Sequence, residues 1–206
     1  MADSVKYINN ARKPKGMMGK KLLNRMNGGR HAELADFGLD ALPEGGVRRM
    51  ADLGCGGGRN VAALLARYAD AYCVGIDYSP LAVRLAAQYN AQQASRCRLM
   101  QSDVAALPLE AGAYDLITAF ETVYFWGDLG VAFANVYAAL SEGGTFMIVN
   151  ETDGMDEEGR RVERLIEGMT VYTADELCAF LRKAGFASVE VRHHHTQPWI
   201  AVYARK

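Results

Sequence analysis

Short apolar runs alternate along most of the chain with stretches whose apolar positions return at helical spacing, and each kind of run predicts its own element. Residues 47–53 form the first apolar run and predict a strand; Val61, Leu64 and Leu65 then give one apolar face to a helix over 60–68. Residues 71–76 repeat the strand pattern. Ser79 reads as an N-cap and Pro80 suits a first helical turn, with Leu81, Val83, Leu85, Ala86 and Tyr89 following. A third strand-like run covers 98–102 and a fourth 114–120. Asp128 caps a helical pattern carried by Leu129, Ala132, Phe133, Val136, Tyr137 and Leu140. Residues 141–144 read as its stop, and 145–150 as a fifth strand. Strands alternating with helices predict an α/β fold with a parallel sheet.

The last quarter changes character. Residues 153–159 read as an acidic loop, 160–166 as a short helix, and 172–177 as the capped start of another helix that ends near 183–186. Two strands, 188–192 and 198–203, flank His193, His194 and His195 and predict a closing antiparallel hairpin. The sheet then has seven strands, the last inserted antiparallel. Upstream, Met17, Met18, Leu22, Leu23 and Met26 predict an amphipathic helix, and helices are expected between about 16 and 42, with a hinge at 43–46.

The chemistry concentrates where strands end. The first strand carries Asp52 and breaks into Gly54, Cys55, Gly56, Gly57 and Gly58, immediately followed by a helix. Such a turn presents backbone N–H groups to a ligand. The dinucleotide fingerprint G-x-G-x-x-G fails, because its sixth position is Arg59. The pattern is instead acidic-x-G-x-G-x-G. The second strand ends in Asp77, 23 residues after Gly54, where a carboxylate can accept from both vicinal hydroxyls of a ribose. The third ends in Asp103, next to Val104.

Glycine turn plus three acid-tipped strands resembles the class I S-adenosylmethionine-dependent methyltransferases, over roughly residues 47–206. The resemblance implies a Rossmann-like, doubly wound, seven-stranded α/β fold, mostly parallel with its last strand antiparallel, with N-terminal lid helices (1–46) ahead of the cofactor-binding domain (47–206). It implies S-adenosyl-L-methionine as cofactor and S-adenosyl-L-homocysteine as product. Asp52, Gly54, Cys55, Gly56 and Asn60 are expected at the methionyl end, Asp77, Tyr78 and Ser79 at the ribose, Asp103 and Val104 at the adenine, and Phe120 against the cofactor. The active site is implied in the segment after the fourth strand. Glu121 and Tyr124 are the expected catalytic groups, with Tyr124, Trp126, Asn150 and Glu151 as acceptor contacts. Glu121 has two readings: it takes a proton or holds a cationic acceptor, or it binds the cofactor amino group or caps backbone N–H groups. Some of Tyr124, Phe125 and Trp126 must be core, since three adjacent aromatics cannot all face one pocket.

Composition narrows the partners. At 206 residues and 22.5 kDa one domain with an ample core is expected. No window of about 18 apolar residues predicts a membrane span, no apolar segment follows the N-terminus as in a signal peptide, and a cytoplasmic protein is expected. The net charge is −1, yet residues 1–30 hold eight Lys and Arg against the single Asp3, a net of +7. That arm reads as a solvated helix packed over the core or as a dock for an anionic polymer. The first reading is preferred. A small-molecule methyl acceptor is therefore expected, and nucleic acid is not. The polar-Pro-Pro-aromatic motif of base N-methylating enzymes is absent, and no cysteine lies between Cys97 and Cys178 to serve cytosine C5 methylation. The alternatives are an RNA or protein methyltransferase docking through the arm, or a cofactor-binding protein without turnover. The four cysteines are widely spaced and no metal site is expected. Three successive His on a strand cannot all reach one ion. His31, in the lid region, is either solvated or a base that lid closure brings to the pocket. A monomer or homodimer is expected.

Overall fold

A computed structural model describes residues 9–206; Lys6 and Asp3 of the basic stretch lie outside them. Seven strands form one sheet: β1 (Arg49–Leu53), β2 (Tyr72–Asp77), β3 (Cys97–Gln101), β4 (Tyr114–Phe120), β5 (Leu140–Asn150), β6 (Ser188–His193) and β7 (Ile200–Arg205). Their order is β3-β2-β1-β4-β5-β7-β6. The first five run parallel, and β7 lies antiparallel between β5 and β6. Strand order reverses between β1 and β4, the crevice where open α/β sheets bind ligands.

Helices cover both faces, which is why the strands read as almost continuous apolar runs. On one face α2 (Arg30–Leu39), α3 (Arg59–Arg67) and α4 (Pro80–Tyr89) bury Leu34, Leu64, Leu65 and Ala86 against Met50, Cys73, Leu116, Met147 and Val149. On the other, α5 (Leu129–Ala139) and α7 (Ala174–Lys183) bury Phe133, Val136, Leu177 and Leu181 against Ile117, Phe146, Ile148 and Val202. Successive strand residues thus serve opposite cores. The remaining helices are α1 (Gly16–Met26) and α6 (Glu157–Leu165).

The caps expected from sequence form: Ser79 accepts from Ala82 N–H with Pro80 at the first helical position, and Thr173 and Glu176 make a reciprocal capping box. Two boundaries are corrected. Residues 141–144 are not a break before the fifth strand; β5 begins at Leu140, and these residues bulge as the register passes from Tyr114↔Leu140 to Leu116↔Thr145. The Lys206 backbone pairs with Gly143 and Gly144, so the bulge stays within the sheet. The acidic loop likewise ends early. Asp156 accepts from Gly159 N–H and starts α6 at Glu157, where Glu157 and Glu158 suit the positive end of the helix.

Candidate active site

The crevice is built from the tip of β1 outward. Gly54 has φ +79°, and a Cβ there would lie 2.6 Å from Thr122 Cβ, so the position admits no side chain. Gly54 and Cys55 both donate their N–H to Ile76 O, at 2.7 and 2.9 Å. Asp77 accepts from Gly56 N–H at 3.0 Å and Ser79 N–H at 2.8 Å, one on each carboxylate oxygen. Beside it opens a cavity of about 370 Å³ bounded by Gly54, Asp77, Tyr78, Asp103, Val104 and Phe125, a size that suits a small-molecule cofactor. Asp103 caps a short helical turn by accepting from Ala105 N–H at 2.9 Å. Asn60, in the first turn of α3, accepts from the Arg59 guanidinium at 3.2 Å. Phe120 is buried in the core beneath α2 and α3.

The N-terminal segment lies over this crevice. Tyr78 donates its hydroxyl to Arg12 O, Ser79 Oγ donates to Pro14 O at 2.9 Å, and the Lys13 ammonium sits 4.8 Å from the Tyr78 ring centroid. Arg12 also lines the cavity. From α1, Asn27 Nδ2 donates to Gly57 O at 3.2 Å. Leu23 reaches within 3.6 Å of where a Cβ on Gly56 would stand.

Asp52 is buried just below the turn. Its Oδ1 accepts from Thr118 Oγ1 at 2.8 Å, while Oδ2 has no partner among the described residues. Burial, opposed by that hydroxyl and reinforced by the Asp77 charge, pushes its carboxyl up to about 7. An unfolded Asp titrates near ~3.9. Between those values the folded chain keeps a proton that the unfolded chain releases, so this contribution is full below about pH 4 and is lost as pH rises to about 7. Asp52→Asn is therefore expected to flatten the stability profile across that window, by on the order of 4 kcal/mol relative to wild type. Urea unfolding at several pH values measures it; parallel profiles in the two proteins would refute the assignment.

The tips of β4 and β5 carry the other half of the crevice. Among the described residues Glu121 is the one non-glycine with positive φ, +57°. Its Oε1 accepts from Tyr124 OH at 3.0 Å and from the Glu151 N–H. His31, in the first turn of α2, comes to the same place: one ligand atom from each of His31, Glu121 and Glu151 lies within 4.8 Å of the others. Arg30 Nε stands 3.7 Å from Glu151 and its guanidinium 5.6 Å from the Trp199 ring centroid. Burial, then the Glu151 charge, pushes the Glu121 carboxyl well above the usual carboxylate range. Burial and the Glu121 charge also push the Tyr124 phenol up. Burial lowers the His31 imidazole, with Arg25 and Arg30 adding to it and Glu151 opposing.

Of the expected acceptor contacts, Tyr124 and Glu151 meet at Glu121. Trp126 stacks on Phe146, lies edge-on to Phe133 and donates Nε1–H to Thr122 Oγ1 at 3.2 Å, and it lines the 370 Å³ cavity beside Thr122. Asn150 is fully buried, and neither side-chain amide atom has a hydrogen-bond partner among the described residues. Sequence reasoning did not select Thr122 or Arg12, and it named Phe125 only as one of three adjacent aromatics, of which this one lines the cavity. Their signal was weak: Thr122 shows its part only through the space denied at Gly54. The histidine triplet lies elsewhere, with His194 Nδ1 accepting from the Thr196 and Gln197 N–H groups.

Known proteins bear on this arrangement. The family described as a methyltransferase domain matches residues 50–144. The uncharacterized methyltransferase YdaC of Bacillus subtilis is 26% identical over 156 residues, 74% of this chain and 79% of that protein. Residues 50–144 thus form a methyltransferase domain, within a chain similar to known methyltransferases. This methyltransferase is also 30% identical over 138 residues to the trans-aconitate 2-methyltransferase of Delftia acidovorans, covering 66% of the chain but only 50% of that enzyme. Its fold is shared with a SAM dependent methyltransferase from Aquifex aeolicus, at a TM-score of 0.75, 16% identity and coverage of 90% and 97%. Such a domain implies S-adenosylmethionine as the methyl source. Among the described residues no helix is long and apolar enough to cross a membrane.

Proposed function

We propose that this methyltransferase transfers a methyl group from S-adenosylmethionine to a small-molecule acceptor held between the tips of β4 and β5. The observation that carries the reading is the shared cavity of Asp77 and Asp103, with Glu121 one residue from its Thr122 wall. Asp77, with Tyr78 and Ser79, takes the ribose; Asp103 and Val104 take the adenine. Asp52, Gly54, Cys55, Gly56 and Asn60 surround the methionyl end, with Phe120 packed below. The unpartnered Asp52 Oδ2 and the side-chain-free approach at Gly54 fit that placement. The bound cofactor supplies a methyl group already activated on a sulfonium.

The chain's own contribution is alignment and exclusion of water. Residues 9–27 cover the crevice, which supports reading 1–46 as a lid. Glu121 and Tyr124 hold and orient the acceptor, and the Glu121 carboxyl, raised by burial and the Glu151 charge, is the group placed to exchange a proton there. The trans-aconitate 2-methyltransferase, named for a small acceptor, supports the acceptor class. We place the protein in the cytoplasm, where its four buried free thiols stay reduced.

Calorimetry with S-adenosylmethionine and S-adenosylhomocysteine, with NAD as control, tests the reading. One site for each of the first two and none for NAD is expected. Equal binding of NAD, or no binding of either sulfur compound, would overturn it.

A further inference from the structure

We propose that His31, Glu121 and Glu151 form a site for one first-row divalent cation, with Mn²⁺ as the fitting ion, at the acceptor edge of the sheet. Three remote segments supply the donors: the first turn of α2, the residue after β4 and the residue after β5. Their ligand atoms already lie within 4.8 Å of one another and are half-buried. Metal bonds of about 2.1 Å place two ligands of one ion roughly 3 to 4 Å apart, so only a small closure is needed. Among the described residues this is the one such group of three; the histidine triplet does not form another.

The charge balance calls for a cation. Two carboxylates stand side by side in partly desolvated surroundings, where repulsion is costly. Arg30 reaches only Glu151, at 3.7 Å, with its side chain 55% exposed, and such a pair compensates little. As a ligand, an imidazole adds a lone pair and no charge. Glu121 is pre-set as a ligand. Its Oε1 is pinned by Tyr124 and the Glu151 N–H, and among the described residues nothing hydrogen-bonds its Oε2. One nitrogen and two carboxylate donors suit Mn²⁺ or Zn²⁺ better than the all-oxygen preference of Mg²⁺ or Ca²⁺.

The role of the ion rests on the proposed function: it would hold an oxygen-bearing acceptor, such as a hydroxyl beside a carbonyl or carboxylate, next to the cofactor cavity. A bound cation also makes such a hydroxyl more acidic. Calorimetric titration of the full chain with Mn²⁺, alone and saturated with S-adenosylhomocysteine, tests the site. One ion per chain is expected, weakened roughly 100-fold in His31→Ala and in Glu151→Gln, and unchanged in a His193→Gln/His195→Gln double variant. Glu151→Gln keeps the fold measurable, because this side chain is 38% exposed and among the described residues its one ion-pair partner is Arg30. No Mn²⁺ binding by wild type, or binding that follows His193 and His195, would overturn the inference. Loss of S-adenosylhomocysteine binding with Mn²⁺ binding intact would strike the cofactor reading instead.

Discussion

Asp77→Ala is expected to weaken S-adenosylhomocysteine binding by about 100-fold or more while the chain stays folded. The carboxylate does two things at once. It accepts one N–H from the glycine turn (Gly56) and one from the start of α4 (Ser79), which fixes its plane toward the cavity. Its remaining lone pairs are then available to two vicinal ribose hydroxyls. Hydrogen bonds to a charged group contribute about 1.5–3 kcal/mol each, so two of them amount to roughly 3–6 kcal/mol, or about 10² to 10⁴ in affinity. Burial raises the carboxyl, yet the two backbone donors pull it down and favour the charged acceptor. Asp77→Asn keeps an acceptor oxygen without the charge and is expected to lose about tenfold. Calorimetry on both variants, with circular dichroism for the fold, decides. Unchanged affinity in Asp77→Ala would sink the ribose assignment.

The parts of this molecule legible in sequence are those fixed by short-range rules. Strands buried on both faces are apolar at most positions, so 71–76 and 114–120 are legible as strands. Caps were legible too, because Ser79 before Pro80 and Thr173 three residues before Glu176 act within one turn. The β5 bulge was not, because it depends on pairing of Gly143 and Gly144 with Lys206 at the far end of the chain. The His31, Glu121 and Glu151 group was hidden for the same reason: its members meet only once α2 packs over the tips of β4 and β5. Asn150 shows a further limit. Proximity to a ligand-binding strand end does not say which face a side chain takes, and this one goes inward.

Gly54→Ala is expected to be the most damaging small substitution in the crevice. Two costs add. At φ +79° an L side chain is strained by roughly 1–2 kcal/mol. The new Cβ would also stand 2.6 Å from Thr122 Cβ, and Thr122 is held by the Trp126 indole, itself wedged between Phe133 and Phe146. Relief therefore requires either the core or the turn to move, at a cost of roughly 1–3 kcal/mol more. Together about 2–5 kcal/mol is expected, a fall in melting temperature of about 10 °C for a chain of this length. Gly112→Ala separates the two causes, because Gly112 has φ +66° but nothing within 4 Å of its added Cβ. That control is expected to lose only the strain of about 1–2 kcal/mol. A turn displaced at Gly54 also loosens the paired N–H bonds of Gly54 and Cys55 to Ile76 O, on which the placement of Gly56 against Asp77 depends. Cofactor binding should then fail in Gly54→Ala at temperatures where the variant is still folded, and remain intact in Gly112→Ala. Equal melting temperatures for the two variants would show that the contact with Thr122 does not set the shape of the turn.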